Sequence, residues 1–450
     1  MIKNKELEKL EHSSVKLTLT IEKEAVRKEY DSLLKKYTKT AQLKGFRKGK
    51  VPVSVLEQKF GDSIRAEASM NTMDSGLKEA MEDIEERPLP YHTPELQEEL
   101  EFDLEKDLTF TVHYDIYPEI KLGNYKGLEV EVPDPSITKT DTDRELKSLQ
   151  DQNALVVDKK EGTVEKDNIV TIDYVELDEN KNEKPGTNRE GFVFTVGSGY
   201  NLYKLDDDII GMAKDEEKVV EKEFPEDYEI PELKGKKVAV KVKVTVIKEK
   251  QLPELDDELA KDISEKYETL EDLKKDLKAK LKEAANTKIR EKKITGIMDQ
   301  IVENSPIDLP ESMINAELEA SWRNFVAQFR AREEDVIQLI EEQGRSKEKL
   351  MEEWRPSTEI KIKNRLLMNE IIEQEKIEVT DDEIEEEIKR QADLNNTPLE
   401  DVQKRYENNS MKELLRSDIK DKKLFDFLIG ESTIKKGKKV KFLDLMQDNQ

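Results

Sequence analysis

Residues Gly45 to Pro52 read GFRKGKVP, and this octapeptide separates two stretches that have helical spacing. Before it, apolar residues recur three or four positions apart, as on one helix face: Val26, Tyr30, Leu33, Leu34 and Tyr37. After it, Pro52 is placed for the first turn of a second helix. Because the octapeptide itself holds two glycines and three cations, we predict a polar loop between two helices.

The loop belongs to a small basic unit. Alternating apolar residues predict one strand before the first helix and one after the second: Val15, Leu17, Leu19 and Ile21, then Phe102, Leu104, Leu108, Phe110 and Val112. Residues 1–60 hold 15 Lys and Arg against 8 Asp and Glu, a net charge of +7, although the whole chain carries −26. A basic α+β head therefore precedes a strongly acidic remainder.

The residues after the head divide into segments with different sequence patterns. Residues 118–154 are Pro-rich and then helical, with Thr138 and Asp141 spaced as a capping box. Residues 155–250 hold short β-rich runs and predict an antiparallel β domain. Residues 251–450 are helical, with predicted breaks at Pro306, Pro310, Gly344, Pro356 and a capping box at Thr380. The predicted fold is multidomain α+β: a head (1–117), a connector (118–154), a β domain (155–250) and an elongated all-α body (251–450).

Composition excludes several classes of function. The chain has 450 residues, of which 40% are charged and 35% hydrophobic, so we expect thin cores and not one large globule. The absence of cysteine excludes disulfides and thiolate chemistry, and the three histidines are scattered singly, so we expect no metal site and no cofactor. No window approaches 18 apolar residues and no signal peptide is present, which predicts a cytoplasmic protein without a membrane partner.

The octapeptide and the lysine before it carry the clearest binding signal: Lys44, Gly45, Phe46, Arg47, Lys48, Gly49 and Lys50. Four cations around one aromatic ring suit an RNA–protein surface, because phosphates take the charges and the ring takes a stacking or apolar contact. A solvated basic turn would have the same composition. Charge alone leaves both readings open.

GFRKGKVP resembles the ribosome-docking signature of the bacterial trigger factor family. The resemblance covers essentially the whole chain and includes FPEDY at 224–228, LKGK at 233–236 and LPEL at 252–255. It implies a head that binds ribosomal protein and rRNA at the exit tunnel through residues 44–50. It also implies an FKBP-like peptidyl-prolyl isomerase domain and a helical body whose arms form a cradle for unfolded or nascent polypeptides, without ATP. Homodimerisation off the ribosome stays open.

The resemblance also marks candidate residues for the isomerase pocket. Tyr174, Phe192 and Tyr228 match its aromatic positions, whereas Leu202 and Leu205 stand in a segment that departs from the family pattern. Lys204 replaces a turn glycine, and Val240 replaces a phenylalanine of the last strand. We therefore expect a weak or inactive isomerase, with retained activity as the alternative. A charged Lys204 would bring water towards a site that works by excluding it.

A stripe of Trp322, Phe325 and Phe329 has helical spacing. These residues form either part of a helix core or part of the client-binding surface of the cradle. Two other functions remain open: a free FKBP-type prolyl isomerase that uses the helical body to hold protein substrates, and an RNA-binding module built on the head.

Overall fold

A computed structural model describes residues 1–44, 46–47, 49–91, 93–97, 103–159, 161–178, 180–228, 230 and 233–447. The chain forms two compact units. The first comprises Met1–Val132 with Glu291–Lys435, and the second comprises Pro133–Arg290 with Lys436–Gln450.

The first unit contains an antiparallel sheet with the strand order β1-β2-β4-β3. The predicted alternation in β2 is confirmed, because Val15, Leu17, Leu19 and Ile21 are fully buried. The strand predicted after the second helix begins only at Leu108, since Leu104 lies in a turn, and Phe102 is outside the described residues. The strands are β1 (Ile2–Lys9), β2 (Ser14–Ile21), β3 (Glu95–Leu96) and β4 (Leu108–Asp115).

Two helices form the rest of the head, α1 (Lys23–Thr40) and α2 (Val53–Glu82), which confirms the two predicted helices. Pro52 stands at the N-cap of α2, with its φ of −61°. The helices enclose their own apolar cluster, formed by Tyr30, Leu33, Leu34, Val51, Leu56, Ile64 and Ala68. The loop between them is therefore fixed at both ends by buried residues.

Long helices make up most of the chain after residue 256. The predicted breaks at Pro310, Gly344 and Thr380 fall between helices, but Pro356 lies inside the helix Lys347–Gln374, so that prediction was wrong. Buried Leu350, Ile362, Leu366 and Leu367 pack on both sides of Pro356, and this packing outweighs the cost of a proline in a helix. The helices are α5 (Asp257–Ile263), α6 (Leu270–Asn304), α7 (Glu311–Gln328), α8 (Glu333–Glu342), α9 (Lys347–Gln374), α10 (Asp381–Leu394), α11 (Leu399–Arg405), α12 (Asn409–Gly430) and α13 (Phe442–Gln447). No described helix is long and apolar enough to cross a membrane.

The second unit contains the antiparallel β domain, with the strand order β6-β10-β7-β8 and β9 also paired to β10. A register shift between Val244 and Val246 moves the buried positions of β10 from even numbers to Ile247. The strands are β6 (Leu155–Asp158), β7 (Ile169–Leu177), β8 (Arg189–Thr195), β9 (Glu217–Glu223) and β10 (Lys237–Gln251), and α4 (Asp206–Ile209) lies between β8 and β9.

The remaining elements are α3 (Lys139–Gln152) and a two-stranded sheet of β5 (Glu129–Ser136) and β11 (Thr433–Lys441). Thr138 and Asp141 form the predicted capping box of α3. Strand β11 corrects the expectation that residues 251–450 are entirely helical. Its sequence TIKKGKKVK gave no strand signal, because a two-stranded ribbon buries too little surface to require alternating apolar residues.

Candidate functional site

The loop after α1 is built from two consecutive turns. The N–H of Ala41 donates to the carbonyl of Tyr37 at 2.8 Å and ends the helix, and the N–H of Phe46 then donates to the carbonyl of Leu43 at 3.0 Å. A second turn follows, in which the N–H of Lys50 donates to the carbonyl of Arg47 at 2.9 Å. Gly49 adopts a φ of +77°, a conformation that suits glycine.

The four large side chains that the structure describes in residues 44–50 of this loop are exposed to solvent. Phe46 is 39% exposed, and Lys44, Arg47 and Lys50 are exposed as well. Within the described part of the chain, none of these three cations has an ion-pair partner. Gly45 and Lys48 lie outside the described residues. The structure thus presents an aromatic ring beside unpaired cations at the end of a helical hairpin.

The β domain brings most of the predicted isomerase residues together. Tyr174 and Leu205 are buried in its core, and Phe192 and Tyr228 pack against that core half-buried. The rings of Tyr174 and Phe192 meet edge to face at 5.8 Å. Leu202 does not join them, because it is 40% exposed. Four of the five predicted residues therefore share one aromatic-lined core.

Tyr203 is a member of this core that the sequence analysis did not select. It is 3% exposed, and its ring lies 5.4 Å from that of Tyr174. Its hydroxyl donates to Glu176 at 2.9 Å, and the Lys184 ammonium donates to the other oxygen of Glu176 at 2.7 Å. The signal available in the sequence was the acidic Glu176 on the face of β7 that otherwise holds Val170, Ile172 and Tyr174.

The charges around this core follow from these contacts. Desolvation raises the pKa of Glu176, but the hydrogen bonds from Lys184 and Tyr203 outweigh it, so the pKa is lowered. Desolvation, and then the bond to Glu176, raise the pKa of Tyr203. The expectation that Lys204 carries charge into the pocket was wrong, because Lys204 is exposed and its ammonium donates to the carbonyl of Gly199 at 2.7 Å.

Tyr228 offers a free polar group at the edge of the same core. Its ring lies 4.7 Å from that of Phe224. Its buried hydroxyl has no hydrogen-bond partner among the described residues. A buried donor without a partner favours binding of an acceptor, such as a peptide carbonyl.

The aromatic stripe of α7 runs from core to surface. Trp322 is 1% exposed, and its indole N–H donates to Glu333 at 2.6 Å. Phe325 is half-buried and lies 5.5 Å from Trp354 of α9. Phe329, at the end of the stripe, is 42% exposed. Of the three predicted client-binding residues, Phe329 is the one whose ring is open to solvent.

Exposed apolar side chains also lie on α10 and α12. Leu394 is 69% exposed and Leu414 is 59% exposed. The buried face of α10 is formed by Ile384, Ile388 and Ala392, and Leu394 lies off that stripe. Apolar residues outside the helical period were the signal that the sequence analysis did not use.

Two family models match this chain. One, described as bacterial trigger factor protein, matches residues 3–149, and the other, described as its C-terminus, matches residues 269–430. The chain belongs to the trigger factor family. It is 45% identical over 441 residues to a trigger factor of Treponema denticola, an alignment that covers 97% of this chain and 98% of that protein. A trigger factor of Borrelia turicatae is 35% identical over 447 residues, covering 99% of each chain.

A solved structure has the same fold. It is titled "Promiscuous Substrate Recognition in Folding and Assembly Activities of the Trigger Factor Chaperone", and it matches with a TM-score of 0.50 and 24% identity, covering 95% of this chain and 99% of that one. As a trigger factor, the chain is a chaperone of a family that binds ribosomes and nascent polypeptides. Family membership does not favour the alternative of a free prolyl isomerase.

Proposed function

We propose that this trigger factor docks on the ribosome through residues 44–50 and shields unfolded segments of emerging polypeptides without ATP. The observation that carries the docking proposal is the exposed ring of Phe46 beside the cations Lys44, Arg47 and Lys50, which are unpaired within the described part of the chain. Cations without internal partners are free to bind phosphates and carboxylates. The proposed partners are therefore ribosomal protein and rRNA at the tunnel exit.

The charge distribution supports docking by this head. The chain carries a net charge of −26, whereas residues 1–60 carry +7. Ribosomal RNA repels the acidic body, so attraction is concentrated on the basic head. Because exposed charges are screened within about 10 Å at 0.1 M salt, binding weakens as salt rises.

Each segment has a proposed role. Residues 1–117 dock, residues 118–154 and 251–450 hold clients, and residues 155–250 form the isomerase-like domain. Phe329, Leu394 and Leu414 offer exposed apolar area for weak, distributed contacts that release as a client folds.

The proposed site of action is the cytoplasm, where nascent chains leave the ribosome. A homodimer off the ribosome is a further proposal, which sedimentation velocity over a concentration series tests.

The β domain has a second proposed activity, slow prolyl isomerisation. Rotation of an X–Pro amide crosses a barrier of roughly 20 kcal/mol, and binding the twisted amide in a dry pocket lowers it without a nucleophile or a metal. The hydroxyl of Tyr228 favours this activity, because it has no partner among the described residues and is placed to donate to a peptide carbonyl. We expect a low rate, since leucine and valine stand at positions 205 and 240 where the family pattern has aromatic residues.

Two triple variants of matched composition test docking and holding separately. The first replaces Phe46, Arg47 and Lys48 by alanine, and the second replaces Phe329, Arg330 and Arg332 by alanine. Each variant loses one phenylalanine and two cations. The first should lose ribosome co-sedimentation and keep suppressing client aggregation without ATP, and the second should show the reverse. Equal ribosome binding by both variants would refute docking through the loop.

A further inference from the structure

An apolar pocket of about 270 Å³ opens on the head beside the docking loop. Its floor is formed by Leu56 and Ile64 of α2, which are 1% and 3% exposed. Tyr37 of α1 and Phe60 of α2 form its walls, and Leu43 contributes from the loop. The remaining lining residues are Ala41, Gln42, Ser63 and Glu67.

The described residues that line the pocket offer mostly apolar surface. Among them is one carboxylate, Glu67, which accepts a 2.6 Å hydrogen bond from the hydroxyl of Tyr37. Phe60 is 43% exposed, so one wall remains open to solvent. An accessible concave site with aromatic and aliphatic walls suits one large apolar side chain, because burial of such a side chain contributes most of the binding free energy there.

The pocket and the docking loop are one continuous surface. Leu43 lines the pocket, and its carbonyl accepts the N–H of Phe46, which forms the first turn of the loop. Lys44 and Arg47, which have no ion-pair partner in the described part of the chain, flank Phe46 in sequence. A partner complementary to this surface presents an apolar side chain next to carboxylates. A nucleobase fits less well, because the floor offers its edges no hydrogen-bonding groups.

We propose that this pocket receives one large apolar side chain from an acidic protein surface of the ribosome, as the apolar anchor of the docking site. The proposal rests on the proposed function, since it names the kind of partner that the head binds beside the loop. The cations then attract and orient the acidic partner. Burial of the apolar side chain in the pocket slows dissociation of the complex.

Filling the pocket from its rim tests this assignment. Ser63 lines the pocket and is exposed, so Ser63→Phe fills the space without removing any charge. Ser54 is also exposed and lies nine positions earlier on α2, which is two and a half turns and hence the opposite face. Ser54→Phe is therefore the matched control. Phe60→Ala, which removes one wall, is the second test variant.

We expect Ser63→Phe and Phe60→Ala each to weaken ribosome binding about tenfold, the effect of losing one buried anchor. The slope of log K against log salt should stay at the wild-type value, because that slope counts phosphate contacts. Ser54→Phe should bind as the wild type does. Thermal melts of all three variants establish that the head remains folded.

Three results would overturn the proposal. In the first, Ser63→Phe and Phe60→Ala bind as the wild type does, whereas the Phe46, Arg47 and Lys48 triple variant loses binding. This result would exclude the pocket from the docking site and leave docking through the loop supported. An equal loss of binding to protein-free rRNA would assign the pocket to RNA. A loss of aggregation suppression with unchanged ribosome binding would assign it to clients. Wild-type ribosome binding by the triple variant would instead refute the proposed function.

Discussion

The hydroxyl of Tyr203 donates a 2.9 Å hydrogen bond to the carboxylate of Glu176 inside the β domain. Val240 pairs directly with Glu176 across the neighbouring strands, and opposed residues share one face of a sheet. From the sequence, Val240 is predicted to leave this face short of an aromatic ring. Tyr203 brings a ring to it from the loop after β8, so the domain keeps an aromatic core with a buried polar pair.

Removing this hydrogen bond should destabilise the β domain. We expect Tyr203→Phe to lower the free energy of unfolding by about 1–3 kcal/mol, because it leaves a buried carboxylate with one partner fewer. Tyr200→Phe is the matched control, since Tyr200 is 85% exposed in the same loop. Urea denaturation followed by backbone NMR signals of β7 and β10 measures the difference. Equal stability of the two variants would show that the Tyr203 bond contributes nothing.

The stability of the β domain should fall in acid through Glu176. Its pKa in the folded protein lies below the ordinary value of 4.5, because hydrogen bonds from Lys184 and Tyr203 outweigh the desolvation that raises it. The carboxylate therefore stabilises the fold above pH 4.5, and this contribution is lost as the pH falls through the lowered pKa. The advantage of wild type over Glu176→Gln should shrink over that range in pH-dependent denaturation. A difference independent of pH would contradict this assignment.

Prolyl isomerisation should be slow and should depend on Tyr228. We expect Tyr228→Phe to lower kcat/KM on an Xaa–Pro peptide by about tenfold, the effect of losing one hydrogen bond to the twisted amide. Because the Tyr228 hydroxyl has no partner among the described residues, its removal should leave the fold intact. An NMR exchange assay measures the rate. Leu205→Trp should not restore activity, since Leu205 is fully buried and a larger ring would overpack the core. Unchanged turnover in Tyr228→Phe would exclude this role.

The aromatic stripe of α7 should separate into a structural and a binding part. Trp322→Ser should destabilise the packing of α7, α8 and α9 by about 3–5 kcal/mol, because it empties a buried site and removes the indole N–H that donates to Glu333. Phe329→Ser should leave stability unchanged and reduce aggregation suppression, since its ring is 42% exposed. Thermal melts measure the effect on stability, and a client aggregation assay measures the effect on aggregation suppression. A folded Trp322→Ser with reduced suppression would place Trp322 in the client-binding surface.

Local patterns predicted those elements that bury a regular face. Strand β2 and helix α1 followed from apolar periodicity, and the capping boxes at Thr138 and Thr380 marked the starts of α3 and α10. Strand β1 carries charges at most positions and gave no such signal, because it is an edge strand with little buried surface. Pro356 led to the wrong prediction of a helix break for the opposite reason. Tertiary packing on both sides of the proline stabilises α9 across it.

The proposed docking loop could be placed from sequence, but the surfaces beside it could not. GFRKGKVP lies between α1 and α2 as predicted, because glycines, cations and a proline act locally. The pocket walled by Tyr37 and Phe60 depends on how two helices meet, and no local pattern encodes that. The pair of Tyr203 and Glu176 likewise joins residues 27 positions apart through the fold.

Ribosome affinity as a function of salt tests the central claim most directly. The dissociation constants of wild type and of the Phe46, Arg47 and Lys48 triple alanine variant are measured over about 50–200 mM salt. Loop docking predicts tight wild-type binding that weakens steeply with salt, and loss of binding in the variant at every salt concentration with its thermal melt unchanged. A variant that binds with the wild-type constant and the wild-type salt slope would contradict docking through this loop.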